Sequence, residues 1–246
     1  MSIVALVLAA GKSSRMGSDK LSMRLDAVHD DRVAVAAASS PAKAAIVDNI
    51  AAEPVRSEQN ETDHYTVGGR VVSVLLQVKQ LSSIIIVQSP QSSVAWQQQC
   101  QRWQQLYSER VQLVHCEHAA LGMSHSLRCG VRHARSRATQ AIMIVLADQP
   151  LLEPAQFEQL ATHWLRQREL DYVAAASMEG AAPPLIFAAS VWDQLEQLAG
   201  DQGARRLLTD TRWQGAYVPL PAHCFWDADT PLALQRIRKY WAEYVQ

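Results

Sequence analysis

The chain lacks the features by which several large classes of protein are recognised. None of its apolar runs approaches the roughly 18 residues that a membrane-spanning helix needs, and its four cysteines include no CxxC pair. Its 23 basic and 24 acidic residues nearly cancel, so no excess of positive charge favours nucleic acid or an anionic membrane. We therefore expect no membrane or nucleic-acid partner, and we expect the cysteines to be buried thiols.

The beginning of the sequence also lacks the marks of an export signal. No basic residue precedes the apolar run 3–9, the run is short for a signal peptide, and it leads directly to Lys12 and Arg15. We therefore expect a cytoplasmic protein. No linker rich in proline, glycine or serine divides the 246 residues, which predicts a single large α/β domain over 1–246.

The chain is organised around this first apolar run and the turn after it. The run ends at Ala9 and Ala10, and Gly11 begins a turn that carries cations and hydroxyls, namely Lys12, Ser13, Ser14, Arg15 and Lys20. A glycine turn exposes backbone N–H groups to a phosphate, and hydroxyls and cations add further partners. The spacing fits neither a P-loop, because position 6 is Leu6, nor the dinucleotide-binding fingerprint. From these residues alone, a triphosphate cradle and an ordinary turn with solvated lysines are equally open.

Beyond residue 66, apolar strands alternate with amphipathic helices. Strands are predicted at 84–87, 111–116, 141–146 and 172–176, and helices at 70–80, 123–135, 154–167 and 232–244. Another helix has an inner face of Trp96, Cys100, Trp103 and Tyr107. Such repeats predict a mostly parallel sheet with helices on both faces and ligands at the carboxyl ends of the strands. Segment 26–66 is rich in alanine and polar residues and lacks this pattern, which predicts an insertion.

Two carboxylates stand where a metal ion could be held. Asp148 follows the apolar strand 141–146 in LADQPL, and Asp229 lies in WDADTP before the last helix, with Asp227 as support. A carboxylate at the end of a buried strand suits a divalent cation. Turn or helix-capping roles are the simpler alternatives, and for Asp229 both roles are compatible.

A third segment, Gly122-Met123-Ser124-His125-Ser126, opens the helix at 123–135. A glycine and two hydroxyls at a helix start offer N–H groups and small donors suited to a base or a ribose. Helix capping by Ser124 is the alternative, and it is preferred if this segment is considered without the other motifs.

Together these segments resemble a known family. LAAGKSSRMG followed by Lys20 is similar to the signature L-A-A-G-x-S-x-R-M-G-x-x-K of the MobA-like molybdenum-cofactor nucleotidyltransferases, in particular their molybdopterin cytidylyltransferase branch. ADQP, DADTP and GMSHSL resemble the family's G-D-x-P, D-x-D-T-P and G-x-S-x-S-L motifs. The likeness spans both ends and the middle of the chain and leaves out 26–66. It implies the three-layer, Rossmann-like nucleotidyltransferase fold with a mostly parallel central sheet.

The resemblance also implies a reaction, in which CMP passes from CTP to the phosphate of molybdopterin and pyrophosphate is released. It assigns catalysis to Arg15, Lys20 and Asp148, and Mg²⁺ binding to Asp148 and Asp229. Nucleotide binding falls to the remaining motif residues, namely Ala9, Ala10, Gly11, Lys12, Ser13, Ser14, Gly122, Ser124 and Ser126. The loop Ala9-Ala10-Gly11 resembles that of cytidylyl rather than guanylyl enzymes. A molybdoenzyme or its chaperone is left open as a further partner.

Two departures from the family pattern keep other functions open. Ala147 replaces a usual glycine, and GAAPP at 180–184 lacks the polar residue of the family's G-H-P or G-N-P turn. The alternatives are transfer to a sugar phosphate or an isoprenoid-precursor phosphate, and a non-catalytic accessory protein that binds a nucleotide or cofactor. GDQGAR at 200–205 resembles the family's G-D-x-G-A-R segment, where Arg205 or Arg206 could hold an acceptor phosphate or lie solvated.

Overall fold

The computed structural model describes residues 2–11, 16, 19–26, 65–137 and 139–245. Most of the predicted insertion at 26–66 lies outside these ranges. The same is true of four predicted site residues, namely Lys12, Ser13, Ser14 and Arg15.

Strands and helices alternate along most of the described chain. The strands are β1 (Ile3–Leu8), β2 (Leu81–Gln88), β3 (Val111–His115), β4 (Ala141–Leu146), β5 (Tyr172–Ser177), β6 (Gly180–Ala188) and β7 (Gly215–Pro219). The α-helices are α1 (Val67–Gln77), α2 (Val94–Leu106), α3 (Met123–Arg135), α4 (Pro154–Arg166), α5 (Trp192–Gln197) and α6 (Pro231–Tyr244). None of these described helices has the unbroken apolar length that a bilayer crossing needs.

The described strands form one seven-stranded sheet in the order β3-β2-β1-β4-β6-β5-β7. β1 is parallel to β2 and β4, and β2 is parallel to β3. Leu8 is level with Val87 of β2 and with Leu146 of β4, so these three strands end together. The residues that follow them, including Gly11 and Asp148, are therefore brought to one edge of the sheet.

β6 is the exception to the parallel pattern. It runs antiparallel to both β4 and β5, whereas β5 and β7 are parallel. Only Met178 and Glu179 separate β5 from β6, and so short a connection allows a hairpin but not a crossover. The prediction of a mostly parallel sheet is confirmed, and this hairpin is the part that the alternating pattern did not anticipate.

Helices cover both faces of the sheet and produce three layers. Ile3, Ala5 and Val7 of β1 face one core, to which α1, α2, α4 and α6 contribute. Val4 and Leu6 face a second core with α3 and α5. A continuous apolar run is what a strand buried on both faces requires. The predicted α/β fold class is therefore confirmed.

α1 begins earlier than the sequence predicts. The sequence predicts a helix at 70–80, with Gly68-Gly69 as a turn before it, but the helix runs from Val67 to Gln77. Thr66 caps it by accepting a hydrogen bond of 3.1 Å from the Gly69 N–H. Gly68 lies in the first turn, where a β-carbon would be 2.5 Å from the ring of Trp96. Gly68 therefore serves close packing between α1 and α2 rather than a turn.

The predicted inner face of α2 holds for three of its four residues. Trp96, Cys100 and Trp103 are buried, but Tyr107 follows the helix as its C-cap and is 40 % exposed. All four cysteines are free thiols, and all but the half-buried Cys129 are buried.

Gly68→Ala is expected to destabilise the fold, because the new methyl group would overlap the rigid, buried ring of Trp96. Overpacking of this kind costs about 1–3 kcal/mol, which urea denaturation followed by circular dichroism would measure. Gln77→Ala, at the exposed end of the same helix, is the matched control and should change the free energy of unfolding by less than about 0.5 kcal/mol. A Gly68→Ala protein as stable as the wild type would contradict the packing argument.

Candidate active site

A cavity of about 610 Å³ opens at the edge of the sheet where β1 and β4 end. This main cavity is lined by most of the described residues that the sequence assigns to the site, namely Ala9, Ala10, Gly11, Lys20, Gly122, Ser126, Asp148 and Asp229. Its size suits a small-molecule ligand, and parallel sheets bind ligands at this edge. Segments that are far apart in the sequence therefore meet at one site.

Lys20 is held in place by a short 3₁₀ helix at Lys20–Ser22. The carboxylate of Asp19 caps this helix by accepting hydrogen bonds from the Leu21 N–H (3.2 Å) and the Ser22 hydroxyl (2.5 Å). It also accepts one from Ser93, the residue that caps α2. The backbone of Lys20 is thereby tied to the neighbouring helix, and its side chain extends to the main cavity.

The ammonium group of Lys20 joins two carboxylates. Its Nζ atom donates to Asp148 and, at 2.5 Å, to Oδ1 of Asp229. Lys20 is only 6 % exposed, whereas the side chain of Asp229 is 46 % exposed, so this pairing takes place partly out of water. The sequence hypothesis requires a cation near the start of the chain to meet two distant carboxylates, and the structure brings them together.

A third carboxylate, Asp227, completes what we call the lysine–carboxylate cluster (Lys20, Asp148, Asp227 and Asp229). Burial and the charge of Asp148 raise the pKa of Asp227 to about 6, although Gln149 donates a hydrogen bond of 2.8 Å to it. Burial alone would lower the pKa of Lys20, but its attraction to Asp148 and Asp229 outweighs burial and raises that pKa. Lys20 therefore stays protonated at physiological pH, and the cluster carries an excess of negative charge.

Backbone hydrogen bonds fix the position of Asp148. After β4 ends, the N–H of Ala147 bonds to the carbonyl of Leu8 at 3.2 Å. The carbonyl of Asp148 then accepts a hydrogen bond of 3.0 Å from the N–H of Ala228. These two bonds link the end of β4 to β1 on one side and to the segment before α6 on the other.

Asp229 immediately precedes the residue that caps α6. Thr230 accepts a hydrogen bond of 3.1 Å from the Ala233 N–H, and Pro231 occupies the first position of the helix. The helix-capping interpretation of this segment therefore applies to Thr230. It is compatible with the place of Asp229 in the main cavity.

Helix α3 presents its first turn to the main cavity. Gly122 has a φ of +128°, which residues with a side chain rarely adopt, and a β-carbon there would overlap the carbonyl oxygen of Gly200. Ser126, 4 % exposed, lines the cavity. Ser124 is fully buried and is not part of the lining; its N–H (3.1 Å) and hydroxyl (2.7 Å) both donate to the Gly200 carbonyl. Contact between Ser124 and a nucleotide stays a prediction.

The main cavity also contains residues to which the sequence analysis assigns no role. They include Asp201, which is exposed, and the apolar side chains of Leu121 and Met123. Asp201 belongs to the segment that resembles the family's G-D-x-G-A-R motif, so the sequence could have indicated it. From the sequence, only the arginines of this segment are considered as ligand-binding residues. Arg205 and Arg206 are exposed and do not line this cavity, and Arg206 instead borders a separate groove.

A smaller cavity of about 380 Å³ adjoins the main one. The two share Ala9, Ala10 and Gly11, and the smaller one adds polar side chains from the loop between β2 and α2, namely Ser89, Gln91, Ser92 and Ser93. These loop residues have no hydrophobic periodicity and no motif, so the sequence offers no signal for them. The turn after β1 therefore borders two pockets.

The lysine–carboxylate cluster has donors that suit a hard divalent cation. Among the described residues, no group of three or more histidine, cysteine or acidic side chains could hold a metal by itself. Asp148 and Asp229 are bonded to the same nitrogen atom, so their oxygens lie within two hydrogen-bond lengths of each other. One or two carboxylates completed by substrate phosphates and water are the usual ligands of Mg²⁺. The residues therefore fit a magnesium ion that binds together with a nucleotide.

Lys20→Met is expected to lower the free energy of unfolding, because it leaves Asp148, Asp227 and Asp229 without their shared cation. Since the side chain of Asp229 is 46 % exposed, the loss should be about 1–3 kcal/mol, less than for a fully buried pair. Urea denaturation measures it, with Lys239→Met on the exposed side of α6 as the matched control. Adding Asp229→Asn to Lys20→Met should restore part of the stability. A double variant no more stable than Lys20→Met would refute the electrostatic explanation.

Comparison with known proteins agrees with this geometry. Residues 5–216 match the model of the MobA-like NTP transferase domain. The purine catabolism protein PucB of Bacillus subtilis (strain 168) is 28 % identical over 241 residues, which cover 96 % of each chain.

Solved structures share the fold at lower identity. Rv0371c from Mycobacterium tuberculosis H37Rv aligns with a TM-score of 0.65 and 19 % identity over 97 % of each chain, and it has also been crystallised in complex with manganese. Molybdopterin-guanine dinucleotide biosynthesis protein A from Archaeoglobus fulgidus aligns with a TM-score of 0.60 and 15 % identity, over 98 % of this chain and 99 % of its own.

The family match includes three of the segments that line the main cavity: the turn after β1, the start of α3 and the end of β4. Asp229 lies beyond the matched range, but Lys20 and Asp148 place it in the same cluster. The chain belongs to the family of MobA-like NTP transferase domains.

Proposed function

We propose that the protein transfers CMP from CTP to the phosphate group of molybdopterin and releases pyrophosphate. The observation that carries the proposal is the position of Lys20 between Asp148 and Asp229, in a cavity that the turn at Gly11 also borders. Such a site suits a triphosphate and a divalent cation. The family and the molybdopterin-related name of one structural neighbour support this choice of acceptor.

The reaction requires alignment and charge compensation from the protein. An oxygen of the acceptor phosphate attacks the α-phosphorus of CTP and forms a new P–O bond. The bond from that phosphorus to the bridging oxygen breaks, and pyrophosphate leaves with the electron pair. No general base is needed, because the attacking phosphate is already ionised. The protein lowers the barrier by holding both substrates in line and neutralising the charge that grows on the leaving group.

The cations near β1 supply that neutralising charge. Lys20 is protonated and anchored, and we assign it to the oxygens of the triphosphate. The motif residues outside the described ranges keep the triphosphate-binding roles predicted from the sequence, namely Lys12, Ser13, Ser14 and Arg15. When bound by Asp148 and Asp229, Mg²⁺ would supply further positive charge to the phosphates. The manganese complex of Rv0371c supports a divalent metal in this fold.

The choice of CTP rests on the turn after β1. Ala9, Ala10 and Gly11 border both cavities, and their sequence resembles that of cytidylyl enzymes. Guanylyl enzymes usually have a second glycine in this loop. The resemblance therefore implies a cytidine rather than a guanosine nucleotide.

Pyrophosphate release by the purified protein tests the proposal, with the four nucleoside triphosphates and a panel of acceptors. CTP with molybdopterin should give sustained release, which EDTA abolishes and Mg²⁺ restores. Faster turnover with a sugar phosphate or an isoprenoid-precursor phosphate would reassign the acceptor. Metal-dependent CTP binding without release for any acceptor would favour a non-catalytic accessory protein.

Asp148→Asn and Asp229→Asn should each lower kcat/KM for CTP by about 100-fold or more, because the neutral amide neither binds a divalent cation well nor balances Lys20. Asp193→Asn is the matched control, since Asp193 is 77 % exposed, pairs with Arg135 and lies outside the main cavity. Thermal melting would establish that each variant is folded. Wild-type kcat/KM in both folded variants would count against the assigned roles.

A further inference from the structure

The loop 199–203 is pinned onto the first turn of α3. The carbonyl of Gly200 accepts two hydrogen bonds from Ser124, one of 3.1 Å from its N–H and one of 2.7 Å from its hydroxyl. Ser124 is fully buried, so water does not compete for these bonds. Gly122 leaves the space for this contact, because a β-carbon at that position would overlap the same carbonyl oxygen. The first turn of α3 and this loop therefore fit together closely.

The chain that leads into the loop is fixed as well. Arg128 of α3 donates to the carbonyls of Glu196 and Leu198, each at 2.9 Å. Within the loop, the Gln202 N–H bonds to the Ala199 carbonyl (3.2 Å), and the Gln202 side chain accepts from the Ala199 N–H (3.3 Å). A side chain that selects a ligand needs a backbone held in this way.

The pinned loop places Asp201 at the main cavity. A β-carbon on Gly122 would be 2.9 Å from Oδ1 of Asp201. The Asp201 carboxylate is exposed and forms no hydrogen bond or ion pair with the described residues. Leu121 and Met123, on either side of Gly122, are 63 % and 41 % exposed and line the same cavity. Together these side chains form an apolar wall with a hydrogen-bond acceptor beside it.

Within the main cavity, this wall lies toward one face of the sheet and the lysine–carboxylate cluster toward the other. Leu198 and Ala204, which flank the loop, pack in the core on the α3 face. Ala228, next to Asp229, packs in the core on the other face. At the lysine–carboxylate cluster, Lys20 offsets the repulsion between carboxylates and phosphate. Asp201 forms no ion pair with the described residues, so its carboxylate favours an uncharged hydrogen-bond donor over a phosphate.

We propose that Asp201 recognises the nucleotide base by accepting a hydrogen bond from the exocyclic amino group of cytosine, with the ring against Leu121 and Met123. This inference rests on the proposed function and refines its nucleotide specificity. The wall includes the segment for which the sequence predicts contact with a base or ribose. Carboxylates accept readily from the cytosine amino group. Uracil has a carbonyl oxygen at that position, which a carboxylate repels, so Asp201 selects CTP over UTP.

Calorimetric titration with CTP and with UTP, in the presence of Mg²⁺ and without an acceptor, tests the inference. The wild type should bind CTP about tenfold more tightly than UTP, because only cytosine offers an amino group to the carboxylate. Asp201→Asn and Asp201→Ala should reduce this preference about tenfold, mainly by weakening the binding of CTP. Asp193→Asn, outside the cavity, should keep it, and melting curves would establish that all variants are folded.

An unchanged ratio of CTP to UTP affinity in both Asp201 variants would overturn the inference. Equal affinities of the wild type for CTP and UTP would do the same. A raised KM for the acceptor with unchanged nucleotide affinity would also overturn it, and would assign Asp201 to the acceptor. Because the titration needs no acceptor, it separates the two proposals. A wild type that prefers CTP but releases no pyrophosphate with any acceptor would refute the proposed function and leave this inference standing.

Discussion

One ammonium group holds together three distant parts of this chain. Lys20 bonds to Asp148, 128 residues further on, and to Asp229, 209 residues further on. A charged group is costly to bury unless it is paired, so Lys20 can be 94 % buried only when both carboxylate segments are in place. Two features of the fold position these charges. The parallel strands β1 and β4 end at the same level, which places Asp148, and Asp19 caps the short helix that carries Lys20.

The framework of the fold could be predicted because its central strands are buried on both faces. A run such as AIMIVL admits few interpretations other than a buried strand, and β4 and α3 have the bounds that their sequences predict. The direction of β6 could not be predicted, because it depends on a two-residue connection rather than on composition. The predicted start of α1 was wrong because the sequence does not distinguish two uses of glycine. Gly68 makes room for the ring of Trp96, but in the sequence it looks the same as a glycine in a turn.

The candidate site also contains residues that the sequence predicts and residues that it does not. The meeting of Lys20, Asp148 and Asp229 could be predicted, because Asp148 follows a buried parallel strand and all three belong to segments that resemble motifs of one family. Their roles in binding phosphate and metal stay predictions. Ser124 was harder, because a hydroxyl at a helix start can bind a ligand or tether a loop, and here it bonds to a carbonyl 76 residues away. Asp201 lies at the cavity because contacts of Ser124, Arg128 and Gln202 hold its loop, and no local sequence pattern records these contacts. The single-domain organisation and the insertion at 26–66 stay predictions.

The hydrogen bond from the Ala228 N–H to the Asp148 carbonyl has a consequence for local unfolding. Detachment of α6 would withdraw Asp229 and break this bond, and the buried ammonium of Lys20 would lose one of its two carboxylate partners. Such an opening therefore carries an electrostatic penalty that originates at the opposite end of the polypeptide. Fraying of the last helix and loosening of the 3₁₀ helix at Lys20–Ser22 are thus thermodynamically linked.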